Sequence, residues 1–296
     1  MKTDPAPRLP WAQTPEELRR HGDAPVHVQL KIRAKDVVKR LLASGTIVEP
    51  AERYAVVAVL GQSNAHGAGM PSPADPPARP DPRVHQWPGC GRNRGRILLA
   101  EDPLLHEIPG AGVGFATTFG SLLADHTGEA VLLVPSARGD TAFHPKNGYS
   151  WDPDDRTART NLYELAVKQI TNALSAAGTG SRLAAILWHQ GESDVPLTAP
   201  EDYRRKLDRL IAGLRERFGD VPFIIGQMVP EEIAGGHPGY PGIDAVHADT
   251  PARHTCCAYV PGPEGMHNPG ERIHYDAAGQ RALGRAMFRA YRGLAP

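Results

Sequence analysis

Cysteine is scarce in this chain: only Cys90, Cys256 and Cys257 occur among 296 residues. An odd count with one adjacent pair makes no disulfide framework, and a reducing compartment is the expectation. No C-x-x-C pair is present to hold a structural zinc. Excess charge is missing too, since 33 Lys and Arg balance 33 Asp and Glu. A neutral chain has no global attraction to nucleic acid or to an anionic membrane, so neither is expected as a partner. Long apolar runs are also absent. None approaches the ~20 residues of a membrane span, and the opening MKTDPAPRLPWAQTPEELRR lacks the apolar stretch of a signal peptide. The expectation is a cytoplasmic protein long enough to bury one sizeable core.

What the chain does have is strands alternating with helices. Apolar, β-branched runs at 54–60, 130–135, 183–189 and 221–227, with a weaker one at 256–260, read as strands. Helical spacing fills 112–125, 158–177, 200–218, about 242–253 and 276–293. Near-continuous apolar strands separated by amphipathic helices predict an α/β fold, with a mostly parallel five-stranded sheet between two helical layers. Residues 1–53 read as a helical appendage. Thr14-Pro15-Glu16-Glu17 resembles a helix start, and 28–44 has charged and apolar residues at helical spacing. The remainder, 54–296, reads as the main domain, with 71–110 an irregular Pro-, Gly- and Arg-rich insert that shapes a pocket.

In Tyr54–Met70, YAVVAVLGQSNAHGAGM, an apolar run stops at Gly61-Gln62-Ser63-Asn64 and small residues follow. A buried strand ending in a tight turn that bears Ser and enters a helix is one way α/β enzymes present a nucleophile. A helix cap is the plain alternative. Open parallel sheets bind ligands at the carboxyl ends of their strands, so the residues after each strand are read together. They are Gly61 to Asn64, Ser136 to Asp140, Gln190 to Asp194 and Met228 to Pro230, with Glu271-Arg272-Ile273-His274 ahead of the last helix. Most are dense in polar groups.

GQSN after the first strand, WHQGESD after a later one and a His before the last helix together resemble the SGNH/GDSL-type hydrolases. The similarity is strongest to the sialate O-acetylesterase-like branch, carbohydrate esterase family 6, and it spans roughly residues 54–293. It implies a three-layer, flavodoxin-like SGNH fold and no cofactor. It makes Ser63 the nucleophile and His274 the general base, with Gln190 a side-chain donor of the oxyanion hole. The Ser63 N–H would be a main-chain donor and Gly112 or Gly114 the other. Family members place Asp three residues before the His, where this chain has Glu271. Gln62, Asn64, Glu192 and Arg138 stand around this set. Asn64 either donates to substrate or braces the turn, and Glu192 holds the turn or Gln190 by accepting backbone N–H bonds. Arg138 and His144 either touch substrate or are structural. Asp194 reads as a cap and Asp276 as the N-cap of the last helix. His237, His247, His254, Cys256, Cys257 and His267 fit no standard zinc spacing, and no metal is expected.

The chemistry follows from residue type. A Ser hydroxyl is too weakly acidic to attack an ester unaided, His can take its proton and return it to the leaving alcohol, and a carboxylate fixes the imidazole tautomer. The expectation is a serine esterase that removes a small acyl group, most simply acetyl, from a sugar or polyol-like metabolite through an acyl-serine. Acyl transfer from the same intermediate and an inactive binding module are the alternatives.

Overall fold

The computed structural model describes residues 25–73 and 79–294. The helix expected to start after Thr14 lies outside the described residues. The chain runs α1 (Val26–Leu42), β1 (Tyr54–Gly61), α2 (Ser63–His66), β2 (Val84–Gln86), β3 (Leu98–Leu99), α3 (Ala116–Thr127) and β4 (Ala130–Pro135). A small pair, β5 (Tyr149–Ser150) and β6 (Thr160–Asn161), leads to α4 (Leu162–Ala177) and β7 (Arg182–His189). Then come α5 (Pro200–Phe218), β8 (Phe223–Gly226), α6 (Pro230–Gly235), α7 (Tyr240–Arg253), β9 (Cys257–Val260) and α8 (Ala277–Leu294).

The main sheet has seven strands in the order β3-β2-β4-β1-β7-β8-β9. All neighbours are parallel except β2 and β3. The five expected strands are β1, β4, β7, β8 and β9, and their spatial order is that of the flavodoxin-like doubly wound sheet. The insert corrects the sequence reading. Part of 71–110 is not irregular but adds β2 and β3 at one edge. Strands of three and two residues, one of them Val84-His85-Gln86, are too short and too polar to leave a periodic signature.

All eight residues of β1 are buried, so both faces of the central strand are covered. Alternation divides them cleanly. Val56, Ala58 and Leu60 face a core with Trp151, Trp188 and residues of α4, α5 and α7, including Ile170, Leu210 and Ile243. Ala55, Val57 and Val59 face the opposite core, built from α3 and α8 through Phe119, Leu123, Leu283 and Met287. Removing a fully buried side chain of this size typically costs 2–5 kcal/mol, so the strand that carries Ser63 is among the most firmly held parts of the molecule.

α1 packs differently. Asp36 is its one buried residue among those whose side chains are described, while Leu30, Val37, Val38, Leu41 and Leu42 are exposed. No helix of the described residues is long and apolar enough to cross a membrane.

Gly61 turns β1 into the loop that carries Ser63 at φ +123°, a conformation that side chains rarely adopt. A Cβ there would lie 2.0 Å from the His189 carbonyl oxygen, which is backbone and cannot step aside. Gly61→Ala is therefore expected to lower unfolding stability by about 3 kcal/mol or more, since strain and clash combine. Urea denaturation checks this; a loss within about 0.5 kcal/mol would contradict it.

Candidate active site

Two neighbouring strands hold the turn after β1 by its backbone. The Gln62 N–H donates to His189 O at 2.8 Å, and the Arg138 N–H donates to Gly61 O at 2.9 Å. Ser63 then opens α2, a single helical turn whose N-cap Gln62 makes no side-chain cap bond. It is half-buried, set at the carboxyl edge of the sheet between β4 and β7, where the strand order reverses.

The loop before α8 comes to this serine from far along the chain. Ser63 Oγ and His274 Nε2 are 2.8 Å apart, and His274 Nδ1 is 2.8 Å from Glu271 Oε1. Those distances suit Oγ–H donating to Nε2 and Nδ1–H donating to the carboxylate. Burial pushes the Glu271 carboxyl upward. Hydrogen bonds from Asn268 and His274 and the attraction of the imidazole more than offset this, leaving it below the ordinary range. The Asn268 Nδ2 donates to Glu271 Oε1 at 2.9 Å and to Ala68 O at 3.0 Å, while its Oδ1 accepts from the Met70 N–H at 2.9 Å. Asp276 accepts from the Gly279 N–H at 2.7 Å, as an N-cap does.

Asn64 braces the turn. It is fully buried, and its Nδ2 donates to Glu192 Oε1 at 3.0 Å and to Ile273 O at 3.1 Å. Its Oδ1 accepts from the Tyr275 N–H and from Gln280 Nε2, each at 3.0 Å. Glu192 thus holds the turn through a side-chain amide rather than the expected backbone N–H groups. Gln62, also buried, accepts from the Ser193 N–H at 3.1 Å and joins the turn to the loop after β7.

The expected oxyanion donors need correcting. Gln190 is fully buried, and its Nε2 donates to Asp194 Oδ2 at 2.6 Å, with Thr141 O at 3.2 Å and Gln62 Oε1 at 3.3 Å also in reach. Its Oε1 accepts from Tyr203 OH at 2.8 Å. Both amide hydrogens are spent inside the fold, so Gln190 is a strut behind the site. The Gly112 N–H donates to Gly67 O at 2.8 Å and the Gly114 N–H to Asp102 Oδ1 at 3.2 Å, at the far end of α2. Neither is available to an oxyanion. Asp194 is not a helix cap but a buried anchor, accepting from the Phe143 and His144 N–H groups and from Thr198. Burial raises its carboxyl pKa against those bonds.

Gly139, which the sequence reading placed in the set after β4 without giving it a role, lies beside Ser63. A methyl on it would stand 3.8 Å from Ser63 Cβ and 3.6 Å from His66 Nδ1. The N–H groups of Ser63 and Gly139 have no acceptor among the described residues. Its signal was its place at the end of a core strand, whereas Gly112 and Gly114 merely precede a helix. Asn268 was missed, being set apart from Glu271 by two ordinary loop residues.

Arg138 lies behind Gly139, buried, pairing with Asp36 of α1 at 2.6 Å and with Glu107 at 2.9 Å. His144 is exposed. Among the late His and Cys residues, His247 is buried against Tyr203 OH at 2.8 Å, and burial lowers its pKa to about 3. His254 pairs with Asp208 at 2.8 Å. A cavity of about 700 Å³ lined by Asp102, Thr117, Arg281 and Arg285 does not include Ser63 or His274.

Residues 53–293 match the family of carbohydrate esterases described as sialic acid-specific acetylesterases. A protein of Arabidopsis thaliana named "Probable carbohydrate esterase" is 30% identical over 255 residues, covering 78% of this chain and 87% of that protein. The crystal structure of NanS superposes with a TM-score of 0.68 at 16% identity, over 83% of this chain and 98% of that one. A carbohydrate acetylesterase from Xanthomonas citri gives a TM-score of 0.59 at 19% identity, over 81% of this chain and 56% of that one. With this family match and this relative, and with a fold shared with esterases, the chain is a carboxylic ester hydrolase that belongs to the sialic acid-specific acetylesterase family of carbohydrate esterases.

Proposed function

We propose that this protein removes acetyl groups from hydroxyls of a sugar by way of an acyl enzyme on Ser63. The observation that carries the reading is the unbroken contact from Ser63 Oγ through His274 to Glu271, both links 2.8 Å long. In the first half-reaction, His274 Nε2 takes the Ser63 proton as Oγ attacks the ester carbonyl. The carbonyl oxygen gains negative charge, received by the N–H groups of Ser63 and Gly139. Collapse expels the sugar hydroxyl, which takes the proton back from His274. Water, activated by the same Nε2, then releases acetate and restores Ser63.

Glu271 takes the place of the usual Asp. Its longer side chain is held by Asn268, and its ionised form steadies the imidazolium that forms in each half-reaction. Ser63 is only half-buried, and the family's name makes an O-acetylated sialic acid the first compound to try.

Ser63→Ala is expected to lower kcat for p-nitrophenyl acetate by about 10³-fold or more. Stopping the wild-type reaction with acid should leave acetyl on the Ser63 peptide, read by mass spectrometry. Undiminished hydrolysis by Ser63→Ala would end this reading.

Asn268→Ala removes a hydrogen bond that favours the Glu271 carboxylate, so the carboxyl pKa rises. The carboxylate is then protonated at higher pH, and the Glu271 carboxyl titration followed by NMR should move up by about half a pH unit. A titration that stays in place would mean that Asn268 does not tune the carboxylate.

A further inference from the structure

α1 lies outside the residues that match the family, yet it reaches the active-site rim. A cavity of about 120 Å³ beside Gly139 has Ile32, Arg33 and Asp36 of α1 on one side and Tyr149 and Arg159 on the other. Gly139 is common to this cavity and to the wall of Ser63. The space is of a size for one small substituent.

The charges around it do not cancel. Asp36 is consumed by Arg138 at 2.6 Å, both residues buried. Asp140 is consumed by Lys146 at 2.5 Å. Arg138 also takes Glu107, which in turn binds Arg40. Two guanidiniums remain. Arg159 lies over the Tyr149 ring at 5.1 Å and pairs with no acid among the described residues. Among the described residues, Arg33 has only an exposed bond to Gln29 Oε1 at 3.2 Å. Tyr149 also meets Arg138, whose guanidinium lies 4.6 Å from the ring centroid, so both cations hold this ring in place.

We propose that Arg33 and Arg159 together select substrates carrying an anionic group, a carboxylate or a phosphate, on the acetylated sugar. The appended helix is then one wall of the substrate site, docked there by the buried Asp36–Arg138 pair. Guanidinium forks match the planar or tetrahedral oxyanions of such groups and are the usual means of reading them. Arg33 and Arg159 act as specificity-determining residues, separate from the bond-breaking groups.

This inference rests on the esterase reading above. The test compares three esters on the full chain: an O-acetylated methyl glucoside, an O-acetylated glucuronic acid and an O-acetylated glucose phosphate. Wild type should favour at least one anionic ester over the neutral one in kcat/KM, and which one identifies the anion. Arg33→Gln and Arg159→Gln, both at exposed positions, should each cut that preference about tenfold, or about 1.4 kcal/mol, mainly through KM. Lys31→Gln, on α1 but off the cavity, should keep the preference. The proposal fails if wild type shows no anion preference, if both arginine variants retain it, or if Lys31→Gln loses it equally. Wild type that hydrolyses neither these esters nor p-nitrophenyl acetate would instead overturn the esterase reading itself.

Discussion

The geometry of this site depends on one buried carboxamide. Ser63 and His274 are 211 residues apart in the chain, and each sits on a loop that could settle in many positions alone. Asn64 meets all its needs across that gap, giving hydrogens to Glu192 and Ile273 and taking them from Tyr275 and Gln280. A buried amide with unmade bonds would cost several kcal/mol, so the loops have a strong reason to close in one register. That register sets the Oγ–Nε2 distance to hydrogen-bond length. Glu192 and Gln62 extend the same bracing to the loop after β7.

Behind this brace the sheet provides stiffness. β1 is central, buried on both faces, and flanked by parallel neighbours whose ends bond the turn on either side. Such a strand does not yield when a substrate presses on the serine, and the polar loops at its carboxyl edge can differ without disturbing the core.

The features legible in the sequence were those with long, regular signatures. The five core strands and the larger helices announce themselves by period and by apolar runs of four residues or more, and Ser63, His274 and Glu271 stand at strand ends or just before a helix. β2 and β3 escaped because so few residues leave no pattern. Gln190 was given to the oxyanion because its neighbours WHQGESD suggest it, yet only three dimensions reveal Asp194, Tyr203 and Gln62 claiming its amide. Gly139 was given no role for the converse reason. A glycine has no side chain to suggest a role, and only the folded loop brings it beside Ser63. The docking of α1 was hidden as well, since it rests on long-range ion pairs, Asp36 with Arg138 and Arg40 with Glu107, that leave no local pattern.

The long separation of serine and histidine also has a temporal meaning. Ser63 leaves the ribosome 211 residues before His274, its hydrogen-bond partner. Until α8 docks and Gln280 meets Asn64, a nascent chain carries a serine without a partner. Parallel sheets with distant pairings also fold slowly, because loop-closure entropy must be met before the contacts form. The serine therefore meets His274 only as these long-range contacts close, and completion of the site marks a late stage of folding.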